Sequence, residues 1–151
     1  MNPSPEPAER LMLLGAVPLL SGLARGQLEQ IAAAGEEATF GAGETIVREG
    51  EKGVGLYLML EGKADVRRSG RTITTLARGE FFGEAALLVD QPRTADVLAN
   101  SDVRCLVVHR WKFWSAVGID PEVNRSLFEE TVARLRSFRA NLDDQDHESA
   151  V

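Results

Sequence analysis

The stretch Phe82-Gly83-Glu84-Ala85-Ala86-Leu87-Leu88-Val89-Asp90-Gln91-Pro92-Arg93-Thr94-Ala95 brings a glycine, an acid and a base into one short segment. Gly83 has no side chain, so a ligand can approach the backbone closely there. The N–H groups from Glu84 to Ala86 are expected to open a short helix and to be unpaired, and such groups favour an anion. Arg93 adds a planar, permanently charged group suited to phosphate oxygens. The segment therefore predicts a site for a small anion.

Glu84 restricts the kind of ligand further. A carboxylate beside a phosphate would be repelled, so Glu84 makes sense only if it accepts a hydrogen bond from another part of the ligand, such as a sugar hydroxyl. One anion, one hydroxyl and apolar walls describe a small nucleotide with a single negative charge. An ordinary helix cap with Arg93 on a solvated turn would explain either charge alone, but it does not explain the whole string.

Composition limits the class of protein. The 151 residues suffice for one domain with a real core. A net charge of −6, from 17 basic and 23 acidic residues, argues against a nucleic-acid partner. Cys105 is the only cysteine, which excludes an internal disulfide and a zinc cluster, and it is expected to be a small buried hydrophobe. His109 and His147 stand in no metal or catalytic spacing, so neither a metal site nor an enzyme is predicted.

No segment predicts a membrane span or a secretory signal. Residues 11–23 are apolar, but the flank 5–10 lacks net positive charge and Pro18 interrupts the run. No run reaches the roughly 18 apolar residues that a transmembrane helix needs. A cytoplasmic protein without a membrane partner is the expectation.

The order of patterns predicts a mainly β domain with flanking helices. A flexible arm over 1–8 and an acidic tail over 143–151 are expected to enclose one domain, 9–142. Glycine-bounded strands between helical segments favour an antiparallel barrel or jelly roll. The predicted helices are 9–16, 24–34, 111–117 and 121–142, and the predicted strands are 38–40, 44–47, 55–60, 64–68, 72–76, 94–98 and 104–109.

An apolar stripe marks the last predicted helix, which Asp120 and Pro121 start. Its spacing fits one helix face. Such a face can close over a ligand, pair with a second copy, or pack on the protein's own barrel. The stripe consists of Phe128, Val132, Leu135, Phe138 and Leu142.

The segment 82–95 resembles the phosphate-binding cassette of the cyclic nucleotide-binding domain family, and we call it the cassette. This family includes protein kinase A regulatory subunits, cyclic-nucleotide-gated channels and the bacterial catabolite activator protein. The order of Gly50, Gly62, Gly79 and Gly83 is also similar, and the resemblance covers about residues 17–142. It implies the jelly-roll or barrel fold and a nucleotide ligand.

The resemblance also implies roles for particular residues. Glu84 would bind the ribose 2′-hydroxyl, and Arg93 would bind the cyclic phosphate, assisted by the backbone N–H groups of Ala85, Ala86 and Ala95. Thr94 could bond phosphate or base. Ala85 stands where a larger aliphatic residue is usual, which would leave a roomier pocket near the sugar. The full implied set of ligand-contacting residues comprises the cassette residues Phe82, Gly83, Glu84, Ala85, Ala86, Arg93, Thr94 and Ala95, the barrel-wall residues Val66, Thr74 and Leu76, and Arg134 and Phe138 on the closing helix.

The function that the resemblance implies is sensing without catalysis or a further cofactor. Cyclic AMP is expected to be favoured over cGMP, although a hydroxyl at Thr94 accompanies either ligand in the family. Movement of the cassette and the last helix would signal to a separate effector protein or to a second copy. No helix-turn-helix is expected after residue 142. The alternatives are a structural or interaction domain that keeps the fold but binds no nucleotide, and a fragment of a longer chain.

Overall fold

Three helices and eight strands make up the part of the chain that the computed structural model describes, residues 3–87, 92–117 and 129. The predicted helix 121–142 (Glu129 apart), Arg134, Phe138 and the tail lie outside these residues. The helices are Pro7–Gly15 (α1), Arg25–Ala34 (α2) and Arg110–Val117 (α3), and short 3₁₀ helices cover Pro18–Leu20 and Glu84–Leu87. The strands are Glu36–Phe40 (β1), Thr45–Val47 (β2), Gly55–Glu61 (β3), Ala64–Arg68 (β4), Arg71–Leu76 (β5), Phe81–Phe82 (β6), Asp96–Ala99 (β7) and Val103–His109 (β8).

The strands form two antiparallel four-stranded sheets. The first sheet has the order β1-β8-β3-β6, and the second has the order β2-β7-β4-β5. Their inner faces share a core in which Met59 and Phe82 of the first sheet join Val66 and Val97 of the second. The prediction of a mainly antiparallel, jelly-roll type domain with flanking helices is confirmed, but the strands stay in two sheets and do not close into a barrel.

The central strands of the first sheet, β3 and β8, are buried on both faces. Along β3, Leu56, Leu58 and Leu60 pack with the helices, whereas Met59 and Tyr57 pack toward the second sheet. Successive side chains of a strand point to opposite faces, so a strand buried on both sides needs an almost continuous apolar run. This explains why residues 55–60 carry no polar alternation.

The second sheet has one buried and one exposed face. Val66 pairs with Thr74 in the register of β4 and β5, and Ala64 pairs with Leu76. Ala64, Val66 and Leu76 are buried between the sheets, while Thr74 is exposed. Because directly paired residues lie on the same face, Thr74 marks a place where the inner face is open.

Element boundaries differ from the expectations in a few places. Helix α1 begins at Pro7, because proline suits the first helical turn. Before this helix, the Ser4 hydroxyl donates a hydrogen bond to the Glu37 carboxylate at 2.8 Å. The two-residue strand β6 was not predicted, since so short a run has no periodicity. The strand expected from Thr94 begins at Asp96, two residues later.

Candidate ligand-binding site

Arg93 lies inside the protein although it is a charged residue. Only 7% of it is exposed. Its Nη2 donates a hydrogen bond to the Gly55 carbonyl at 3.1 Å, while its Nε is buried without a hydrogen-bond partner. Buried donors normally have partners, so this guanidinium has a donor to spare.

The backbone of Arg93 is fixed by the loop before β3. Its N–H donates to the Glu51 carbonyl at 2.7 Å, and its carbonyl accepts from the Gly50 N–H at 2.8 Å. An isolated antiparallel bridge between Lys52 and Pro92 continues this contact. The loop 50–54, which the sequence presents only as a glycine-rich turn, therefore holds the critical arginine in place.

Two glycines make room for the guanidinium. Gly83 has a φ of +78°, and a Cβ there would collide with Arg93 and come within 2.7 Å of the Gly55 carbonyl. A Cβ at Gly53 would lie 2.9 Å from the Ala86 Cβ and 3.1 Å from the Arg93 Cζ. At Gly83 both the backbone conformation and the space exclude any other residue.

Aromatic rings form the other side of the arginine. The Tyr57 ring lies 5.6 Å from the Arg93 Cζ, a cation–π distance. Tyr57 in turn stacks on Phe82, with ring centroids 4.8 Å apart and planes 9° apart. Burial raises the pKa of Tyr57, and the positive charge of Arg93 offsets part of that rise. Arg93 thus lies against the electron-rich face of an aromatic ring, and this ring attracts the guanidinium without neutralising its charge as a carboxylate would.

The charge of Arg93 is incompletely balanced. None of the ion pairs between residues that the structure describes includes it. Burial lowers the pKa of Arg93, and electrostatic interactions with Tyr57 and with Glu84 partly restore it. The guanidinium keeps its charge at neutral pH because its ordinary pKa is so high. Glu84 therefore lies close enough to Arg93 for the two charges to interact.

The backbone donors are arranged differently from the expectation. The Ala86 N–H donates to the Gly83 carbonyl at 3.0 Å, so the prediction that it is unpaired was wrong. The reason is that residues 84–87 form a 3₁₀ helix, whose bonds span one residue fewer and so reach this N–H. A ligand would have to compete with Gly83 for it.

Comparison with known proteins identifies the fold family. A profile of the family "Cyclic nucleotide-binding domain" matches residues 37–119, just over half of the chain and including the whole cassette. The chain belongs to the cyclic nucleotide-binding domain family. The resemblance of the cassette is thereby confirmed at the level of the family.

Relatives of this cyclic nucleotide-binding domain occur in bacteria and eukaryotes. Human cGMP-dependent protein kinase 2 is 36% identical over 140 residues, which are 88% of this chain and 17% of the kinase. The cAMP-dependent protein kinase regulatory subunit of Aspergillus niger is 37% identical over 114 residues, 74% of this chain and 28% of the subunit. The chain thus spans less than a third of either relative.

A solved structure of similar size supports the architecture. The N-terminal domain of a transcriptional regulator from Streptomyces coelicolor A3(2) superposes with a TM-score of 0.73 and 29% identity. The match covers 86% of this chain and 94% of that one.

The other residues implied by the family are spread over the described structure. Val66 and Leu76 lie in the core between the sheets, and Thr74 is exposed beside Val66. In the cassette, Phe82, Gly83, Ala86 and Ala95 are buried, and Glu84, Ala85 and Thr94 are half-buried. Arg134 and Phe138 lie outside the described residues.

Several residues around the cassette were not predicted from the sequence. Gly53, Gly55 and Tyr57 surround Arg93, and the Trp114 Nε1 donates to the Leu87 carbonyl at 2.7 Å. The N–H of a partly buried tryptophan usually finds a hydrogen-bond partner, and this was the one sequence signal that could have indicated the contact. The contact ties α3 to the end of the cassette's 3₁₀ helix.

Neither a metal cluster nor a membrane-spanning helix occurs in the described part of the chain. No group of three or more His, Cys, Asp and Glu side chains among these residues could hold a metal ion. None of the helices in that part is long and apolar enough to cross a membrane.

Proposed function

We propose that this domain binds a cyclic nucleotide, with cAMP favoured over cGMP, and passes the signal on without catalysing a reaction. The observation that carries the proposal is the buried, unpaired Nε of Arg93 beside Gly83 and Glu84. A cyclic phosphate would supply the missing negative charge, and a ribose hydroxyl would donate to Glu84. A cAMP-dependent subunit and a cGMP-dependent kinase among the relatives support this ligand class.

The response to ligand would pass through α3. The Trp114 hydrogen bond to Leu87 joins that helix to the cassette, and the Trp114 ring packs at 5.3 Å against the buried Phe113. A shift of the cassette on ligand binding would therefore displace α3. The separate effector protein or second copy would read this displacement, provided that the two states differ in nucleotide affinity. We also propose that the domain lies in the cytoplasm.

Calorimetric titration of cAMP and cGMP tests the binding. The wild type is expected to bind both and to bind cAMP more tightly. Arg93→Met is expected to weaken binding by about 30-fold or more, because removing one partner of a buried charged pair costs about 2–5 kcal/mol. Arg25→Met is the matched control, since Arg25 is 78% exposed on α2. Absence of heat with both nucleotides, or equal binding by Arg93→Met, would refute the proposal.

Tryptophan fluorescence tests whether ligand binding at the cassette moves α3. Trp111→Phe leaves Trp114 as the single tryptophan of the chain, because the sequence contains two. Saturating nucleotide is expected to change the emission of Trp114 in this variant. Trp114→Phe is the control, because Trp111 is 69% exposed and should report little. An unchanged Trp114 emission at full occupancy would contradict movement through α3.

A further inference from the structure

Arg68, at the end of β4, contacts the last residues of the cassette. Its Nε donates a hydrogen bond to the Thr94 carbonyl at 3.2 Å, in a partly buried position. β4 also pairs with β7, where Arg67 lies opposite Asp96. Arg68 therefore meets the chain just as it leaves the cassette and enters β7.

The direction of one carbonyl fixes the direction of the next N–H. The peptide between Thr94 and Ala95 is trans, as are all peptide bonds in the part of the chain described. In a planar trans peptide the carbonyl and the N–H point in opposite directions. By holding the Thr94 carbonyl, Arg68 aims the Ala95 N–H away from itself.

The Ala95 N–H is a buried donor. Ala95 has no exposed surface, and no hydrogen bond joins its N–H to another described residue. A buried N–H without a partner is rare and destabilising, so its position calls for an acceptor. The side chain of Arg93, two positions earlier, also has a buried donor without a hydrogen-bond partner, its Nε.

We propose that Arg68 is a positioning residue, which orients the Ala95 N–H to donate to the phosphate of the bound nucleotide. The proposal rests on the proposed function, since it needs a phosphate at the cassette. Arg68 acts through the peptide plane and touches neither the base nor the sugar. It should therefore affect cAMP and cGMP equally.

Two substitutions separate the hydrogen bond from the side chain's bulk and charge. In Arg68→Gln the Nε2 occupies the same place along the chain as the arginine Nε, so a donor is retained without the charge. In Arg68→Met a methyl group stands there, so the donor is lost. The control is Arg71→Met on the exposed start of β5.

Titration of each variant with cAMP and cGMP gives the first result. Arg68→Met is expected to lose about tenfold in affinity for both nucleotides, which is the effect of losing one hydrogen bond to a charged group, here the bond from the Ala95 N–H to the phosphate. Arg68→Gln is expected to regain most of this loss, and Arg71→Met to match the wild type. A loss confined to one nucleotide would show that Arg68 reads the base, and would overturn the proposal. So would equal losses in the Gln and Met variants.

Phosphorothioate analogues give a result that a merely structural role would not. Sulfur replaces one exocyclic oxygen in the Rp isomer of the cAMP analogue and the other in the Sp isomer, and it accepts hydrogen bonds more weakly. The effect of Arg68→Met is expected to shrink to less than about threefold for one isomer and to persist for the other. The same effect for both isomers would refute positioning. Failure of the wild type to bind any nucleotide would refute the proposed function itself.

Discussion

Replacing Arg93 with methionine should separate binding from stability. The substitution removes the guanidinium of a residue that is 7% exposed and keeps an unbranched stem of similar length. We expect the variant to lose ligand affinity, because the cyclic phosphate loses its buried charged partner. We expect its free energy of unfolding without ligand to equal that of the wild type or to exceed it.

The contacts of the Arg93 guanidinium determine how much the free energy of unfolding of the ligand-free protein changes. Its hydrogen bond to the Gly55 carbonyl at 3.1 Å contributes about 1.5–3 kcal/mol. Its position over the Tyr57 ring contributes about 1–2 kcal/mol. Burying an ion costs several kcal/mol, and among the described residues no carboxylate pairs with Arg93 to offset this. The ligand-free variant should therefore gain about 0–2 kcal/mol, which for a chain of this size raises Tm by no more than about 8 °C.

Urea denaturation with and without cAMP measures both effects. At about 100 times its Kd a ligand stabilises the folded state by about 2.7 kcal/mol, so the wild type should gain this amount and Arg93→Met should gain almost none at the same concentration. Arg25→Met should follow the wild type in both conditions. A ligand-free Arg93→Met that is less stable by about 2 kcal/mol or more would show that Arg93 supports the fold, and the reasoning from its unbalanced charge would fail.

The remaining predictions concern three other positions. Glu84→Gln should weaken cAMP binding about tenfold but leave the binding of 2′-deoxy-cAMP unchanged, and an equal loss for both ligands would exclude the 2′-hydroxyl contact. Gly83→Ala should destabilise the domain more than Gly70→Ala, because both glycines have positive φ (78° and 76°) but of the two only Gly83 is crowded. The backbone strain that alanine would meet at either position costs about 1 kcal/mol, and equal urea midpoints for the two variants would contradict the prediction. Burial raises the pKa of Cys105 from 9.0 to about 12, so the unfolded chain releases the thiol proton at a lower pH than the folded chain does. The free energy of unfolding should therefore fall as the pH rises between these two values, by at most about 1.4 kcal/mol per pH unit. Denaturation at several pH values measures this, and Cys105→Ala should fall less steeply.

Local patterns carried much of the prediction. The helices near residues 9–16 and 24–34 and most strands could be located because apolar periodicity and glycine turns act over a few residues. The cassette could also be read directly, since Gly83, Glu84 and Arg93 each contribute a chemical property that does not depend on their neighbours in space.

Contacts between distant segments could not be read in this way. Tyr57 and Gly53 lie more than 30 positions before Arg93, and no periodicity links them to it. The pairing of the Ala86 N–H with Gly83 was missed because a 3₁₀ turn and an α-helical turn look alike in the sequence. The sequence also left a barrel and a jelly roll open, because strand patterns do not show which strand edges pair.

The sequence by itself therefore determined the ligand class to be sought and the two charged groups that would recognise it. Only the tertiary structure decided that Arg93 is buried, that its charge lacks a paired carboxylate among the described residues, and that Arg68 holds the Thr94 carbonyl. The physical reason is that the charge and shape of a side chain are fixed by its residue type. Its desolvation and hydrogen-bond partners depend on which distant segments the fold packs around it.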